Sequence, residues 1–165
     1  TENARLSLQA LDRDTPADRP DELTLALSST LVALRAGGGG EVAKEVLGAV
    51  DARPQLRSLP YIAEMQAVVR GWQAIGERRP ADAIAVLEPF ATPSSSYQTR
   101  RALLQAHLLA GDRMQALEQA KWLQQRRGLA YVELACGQCR QTLNVIDSNR
   151  AMSLAIDRNP VPGAQ

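Results

Sequence analysis

Aromatic residues are scarce in this chain of 165 residues: one Phe, two Trp and three Tyr, 4% in all. A core without them has to be filled mainly by Leu and Ala, strong helix formers that let helices pack closely. Cysteine occurs twice, too few for a disulfide framework, which leans toward a reducing, cytoplasmic compartment. Histidine occurs once. The net charge of +1 gives no general attraction to nucleic acid or to acidic membranes, so neither is an expected partner. No run of about 20 apolar residues is present, so nothing spans a membrane. The first residues, Thr1 to Arg5, are polar and do not read as a secretory signal. The chain begins without Met and is expected to be a mature protein or, in preference, a piece of a longer one.

What is present fits one folded domain: 45% hydrophobic and 22% charged residues. The start is acidic (Asp12, Asp14, Asp18, Asp21, Glu22), and arginine pairs follow at Arg78-Arg79, Arg100-Arg101 and Arg126-Arg127. Each pair falls near an expected helix end, where solvation or the helix dipole accounts for it.

Helical spacing dominates. From Glu22 to Arg35, Leu23, Leu27, Leu31 and Leu34 recur at steps of three and four, and Gly37 to Gly40 end the helix. Val42 to Val50 forms its partner, and Pro54 and Pro60 bracket the next connection. Ile62 to Ile75 is the next amphipathic helix. Gly76-Glu77-Arg78-Arg79 break it, Pro80 takes a first helical position, and Ala81 to Phe90 returns. Ser94 to Ser96 can cap a helix from Tyr97 to Ala110, Gly111-Asp112 turn, and Met114 to Arg127 follows, ended by Gly128 as a left-handed cap. Leu129 to Ala135 reads as a short helix, and Thr142 to Ile156 puts Leu143, Ile146, Met152 and Ile156 on one face. The expected organisation is an N-terminal extension (1–21), three helix pairs (22–57, 60–95, 96–128), capping helices (129–158) and a loose tail (159–165).

The second helices align on Ala43, Ala83 and Ala116. The last step is about 33 residues, near the 34 of a tetratricopeptide unit, and the first is about 40. In the third unit, Leu103, Ala106, Gly111, Asp112, Ala116 and Leu117 carry a resemblance to the tetratricopeptide repeat. So do Gly71, Ala83, Ile84, Leu87 and Phe90 in the second unit, and Gly38, Ala43 and Leu47 in the first. Leu104 departs from the pattern where a small residue is usual, His107 where an aromatic is common, and the second unit lacks Gly at its turn. The resemblance implies an all-α solenoid of antiparallel helix pairs, a right-handed superhelix with a C-terminal capping helix. Its inner wall, lined by first helices, would bind a protein or peptide segment without catalysis. On that reading the groove candidates are Met65, Val68, Trp72, Gln98, Arg101 and Gln105. Trp72 is also read as core, and the tail helix is an alternative occupant of the groove, as a self-inhibiting cap. A regulatory or oligomerisation module of a larger bacterial signalling protein is the other reading, and a homo-oligomer is compatible with both.

Catalytic motifs are thin. Cys136-Gly-Gln-Cys139 lacks a strand-to-helix redox context and the further ligands of a zinc site, so it reads first as structural and only remotely as a thiol or zinc site. His107 lies among Leu103, Leu104 and Leu108 without a visible catalytic partner. Trp122 reads as core. The glycine run lacks the Lys-Ser/Thr of a phosphate loop, and Asp147-Ser148-Asn149 matches no catalytic box. No cofactor and no metal are expected.

Overall fold

The structure, a computed structural model, describes residues 1–13, 20–133, 143–147 and 150. The described residues are helical and hold no strand. The helices are α1 (Glu2–Arg13), α2 (Pro20–Arg35), α3 (Gly40–Asp51), α4 (Pro54–Arg57), α5 (Pro60–Gly76), α6 (Pro80–Leu87), α7 (Tyr97–Ala110), α8 (Arg113–Gln125) and α9 (Leu129–Val132). Residues 143–147 form a further helical stretch. The expected N-terminal extension thus contains α1 and the start of α2. The expected helix to Phe90 gives way to a 3-10 turn at Glu88–Phe90. Pro89 has no N–H to return to the fourth carbonyl back, so the α-helix cannot continue through it.

Proline and serine set several helix starts. Pro54, Pro60 and Pro80 open α4, α5 and α6, where a missing N–H costs nothing. Ser96 caps α7 by accepting from the Thr99 N–H, and Asp112 caps α8 by accepting from Gln115. Helices α2, α5 and α7 end in one and the same turn. Gly38 N–H reaches Ala33 C=O, Arg79 reaches Ala74, and Asp112 reaches His107, at 3.0, 2.8 and 3.0 Å. The preceding residue is left-handed each time, with φ of 84° at Gly37, 58° at Arg78 and 78° at Gly111. Arg78 therefore stands where glycine is easiest, the position at which the second unit lacked its glycine. Gly128, expected to be a left-handed cap, has φ −57° and ψ −36°. The chain there turns straight into α9, so right-handed geometry serves.

Each of α2, α5 and α7 packs on the helix after it (α3, α6, α8), and also α2 on α5 and α5 on α7. Helix α5 is surrounded by α2, α3, α6 and α7. The main core joins Leu23, Leu27 and Leu31 of α2, Val42, Val46 and Val50 of α3, Ile62, Met65, Val68 and Val69 of α5, Leu87 and Leu103. A second cluster holds Tyr97, Leu104, Leu108, Ala116, Ala120 and Leu123. Each fully buried aliphatic side chain contributes about 1.5–3 kcal/mol of transfer free energy. Small residues let the helices close: Ala74, Ala83 and Ala106 meet where α5, α6 and α7 cross. At Gly71, an added Cβ would stand 2.8 Å from Leu87 Cδ1.

Candidate functional site

Three helices contribute to one polar cluster beside the main core. Arg35 ends α2, Trp72 lies near the end of α5, and Gln98 and Arg101 lie in the first turns of α7. The two guanidinium groups cover the Trp72 ring at 5.1 Å for Arg35 and 5.4 Å for Arg101. Residues 143–147 close over this cluster. Arg35 donates to both oxygens of Asp147, at 2.6 and 2.7 Å, a bidentate pair. Arg101 Nε donates to Asp147 Oδ1 at 3.1 Å. Gln98 Nε2 donates to Asn144 Oδ1 at 2.7 Å and to Asp147 Oδ2 at 3.1 Å. Asn144 in turn donates to Glu133, whose other oxygen accepts the Tyr97 N–H at the start of α7.

The cluster is dry. Gln98 and Asn144 are fully buried, Asp147 is 2% exposed and Arg101 7%. Burial pulls the Arg101 guanidinium down from its ordinary value, the charge of Asp147 opposes this, and the neighbouring Arg35 reinforces it. Two guanidiniums thus share one carboxylate. Breaking such a buried pair while the site stays closed costs about 3–5 kcal/mol, because an uncompensated charge is left behind. Trp72 Nε1 is buried and has no hydrogen-bond acceptor among the described residues. Beside Trp72 the surface opens into a cleft of about 290 Å³, lined by Leu34, Trp72, Gln73, Glu77 and glycines 37, 38, 40 and 76.

The six groove candidates separate under this geometry. Trp72, Gln98, Arg101 and Gln105 come together, Gln105 accepting from Arg101 at 3.4 Å. Met65 and Val68 do not join them: they are 2% and 0% exposed in the main core, because α5 has helices on several sides. Trp72 is half-buried, with one part on the core and its faces under the arginines. Arg101 is not a solvated helix-end charge. On the 143–147 stretch, Leu143 packs on the main core, but Ile146 is 41% exposed. The buried side carries Asn144 and Asp147 instead. Arg35 and Asn144 are not among the sequence candidates, and Asp147 is weighed there only as part of a catalytic box; the only local sign is that Asn144 and Asp147 stand three apart, on one helical face.

Elsewhere, Trp122 is half-buried between Arg100 and Arg126, at 4.9 and 4.6 Å. His107 is buried. Its Nδ1 lies 3.9 Å from Asp112 Oδ2, beyond hydrogen-bond length, and has no partner among the described residues. Burial lowers its pKa, with Asp112 and Glu88 opposing. A second cleft of about 420 Å³ has Asp51 held by Gln66 and Arg70 beside Ala63, Ala67, Val86 and Phe90. Among the described residues no three His, Cys, Asp or Glu side chains are grouped to hold a metal, and no helix is long and apolar enough to cross a membrane. Cys136 and Cys139 lie outside the described residues. No family model matches this chain, and no curated protein and no solved structure matches it.

Proposed function

We propose that this chain is a tetratricopeptide-like helical-repeat scaffold that binds a protein or peptide segment on the layer formed by α2, α5 and α7, without catalysing a reaction. One observation carries the reading. Side chains of two of these helices, Arg35 of α2 and Gln98 and Arg101 of α7, hold a single polypeptide segment by directed polar contacts, and Trp72 of α5 lies against both guanidinium groups. The identical turns ending α2, α5 and α7, and the packing of each on its successor, support a repeated unit. The carboxylates near the layer serve structural bonds: Glu64 accepts from Ser96 N–H and Thr99 Oγ1 at the start of α7, and Asp147 holds the arginines.

The test is a selection from displayed helical peptides against the full chain. Enriched peptides are expected to bind at least ten-fold more weakly to Arg101→Gln and unchanged to Met114→Ala, an exposed position on α8. An absence of enriched peptides, or peptides indifferent to Arg101→Gln, would refute the reading.

A further inference from the structure

We infer that the Arg35–Trp72–Arg101 site receives an acidic helical segment of a partner protein, and that residues 143–147 fill it as an intramolecular stand-in. The inference rests on the scaffold reading and specifies its ligand.

The present occupant displays the chemistry that the site accepts. Asn144 and Asp147 are three residues apart on a helical stretch, so they face the same way. Gln98 reads the Asn144 amide oxygen, and two arginines with Gln98 read the Asp147 carboxylate. Both oxygens of Asp147 take a hydrogen bond from Arg35, an arrangement that suits a planar carboxylate. The recognised pattern is Asn-x-x-Asp on one face of a helix.

The occupant leaves part of the site unused. Two guanidiniums meet one carboxylate. Among the described residues the buried Trp72 N–H meets no acceptor, and a cleft lies beside the ring. A partner segment with the same acidic face and a longer reach finds an unpaired donor, surplus positive charge and an apolar wall of Leu34 and Trp72. It therefore has contacts to make that 143–147 does not, which is the condition for displacing an internal segment.

The experiment uses the full chain, wild type and Asp147→Asn, and a fluorescein-labelled peptide with the sequence of residues 140–150, blocked at both ends. Binding is read by anisotropy. Neutralising Asp147 removes the stand-in's charge, so the peptide is expected to bind the variant at least ten-fold more tightly than the wild type. A peptide carrying Asn at the position of Asp147 is expected to lose at least ten-fold, and Arg35→Gln added to the variant chain should abolish binding. Should Asp147→Asn fail to fold, Asn144→Ala, which keeps the buried carboxylate, replaces it and is expected to bind the peptide several-fold more tightly than the wild type.

The inference is overturned if a folded variant shows no binding, if the Asn peptide binds equally well, or if inorganic phosphate at millimolar concentration displaces the peptide and thereby marks a simple anion site. A wild-type chain that is dimeric, with peptide binding absent, would also overturn it, assigning the segment to a second copy of the chain. If the variant binds displayed helical peptides but not this acidic one, the inference falls and the scaffold reading stands. If it binds neither, both fall.

Discussion

Replacing Gly71 by Ala tests how tightly α5 and α6 approach. The added Cβ would meet Leu87 at Cδ1, Cγ and Cδ2, at 2.8, 3.0 and 3.2 Å. Carbon atoms in good contact sit roughly 3.5–4.0 Å apart, so the clash must be relieved by several tenths of an ångström. All three atoms belong to one fully buried leucine, and turning one methyl away brings another closer. Overpacking of this kind costs about 1–3 kcal/mol. Alanine in a helix recovers about 0.5–1 kcal/mol relative to glycine. The net loss is therefore up to about 2.5 kcal/mol, read as a Tm lowered by up to roughly 10 °C in a domain of this size. Gly48 is the control: it is helical and exposed, with nothing within 4 Å of a built Cβ, so Gly48→Ala should stabilise by about 0.5–1 kcal/mol. Urea denaturation followed by far-ultraviolet circular dichroism measures both. In a Leu87→Ala background the penalty of Gly71→Ala should largely vanish. If Gly71→Ala stabilises as much as Gly48→Ala, the close contact of α5 with α6 does not exist.

Enlarging Ala83 or Ala116 to Leu should cost about 1–3 kcal/mol each by overpacking a fully enclosed site, and unchanged denaturation midpoints would show that these helix crossings are misplaced. Arg78→Gly relieves a left-handed non-glycine residue and should raise stability by about 1 kcal/mol; a lower melting point would contradict that backbone assignment. Because burial holds the folded-state pKa of His107 below the ordinary 6.5, the unfolded chain takes up that proton first. The associated stability is present above about pH 6.5 and is lost as the pH falls through that value toward the folded-state pKa. His107→Gln should flatten that part of the stability profile, and identical profiles for variant and wild type would refute the assignment.

The helices were legible because their punctuation is local. The leucine spacing of α2, Pro80, Ser96 and Gly111 each act within a turn or two, and each lies where that chemistry requires. The failures are also physical. Gly128 was read alone, whereas α9 begins at once and determines its backbone. Met65 and Val68 carry the spacing of a helix face, but spacing does not say how many neighbours surround a helix, and α5 has several. The polar cluster was only half legible. Trp72, Gln98 and Arg101 stood out on two helices, but what holds Gln98 and Arg101 is a carboxylate far along the chain, shared with Arg35, and Arg35 and Asp147 are 112 residues apart. Nothing in the local sequence of residues 143–147 outweighs the more conspicuous Leu143 and Ile146, so the hydrophobic spacing suggested a different buried face.

Hydrogen exchange of the Asp147→Asn chain, with and without a saturating acidic helical peptide, tests the central claim most directly. The claim is that the layer of α2, α5 and α7 receives a segment through Arg35, Trp72, Gln98 and Arg101. It predicts added protection at the end of α2, in the last turns of α5 and in the first half of α7, with α8 unchanged. Protection concentrated on α3, α6 or α8, with the α2, α5 and α7 amides unaffected, would contradict it.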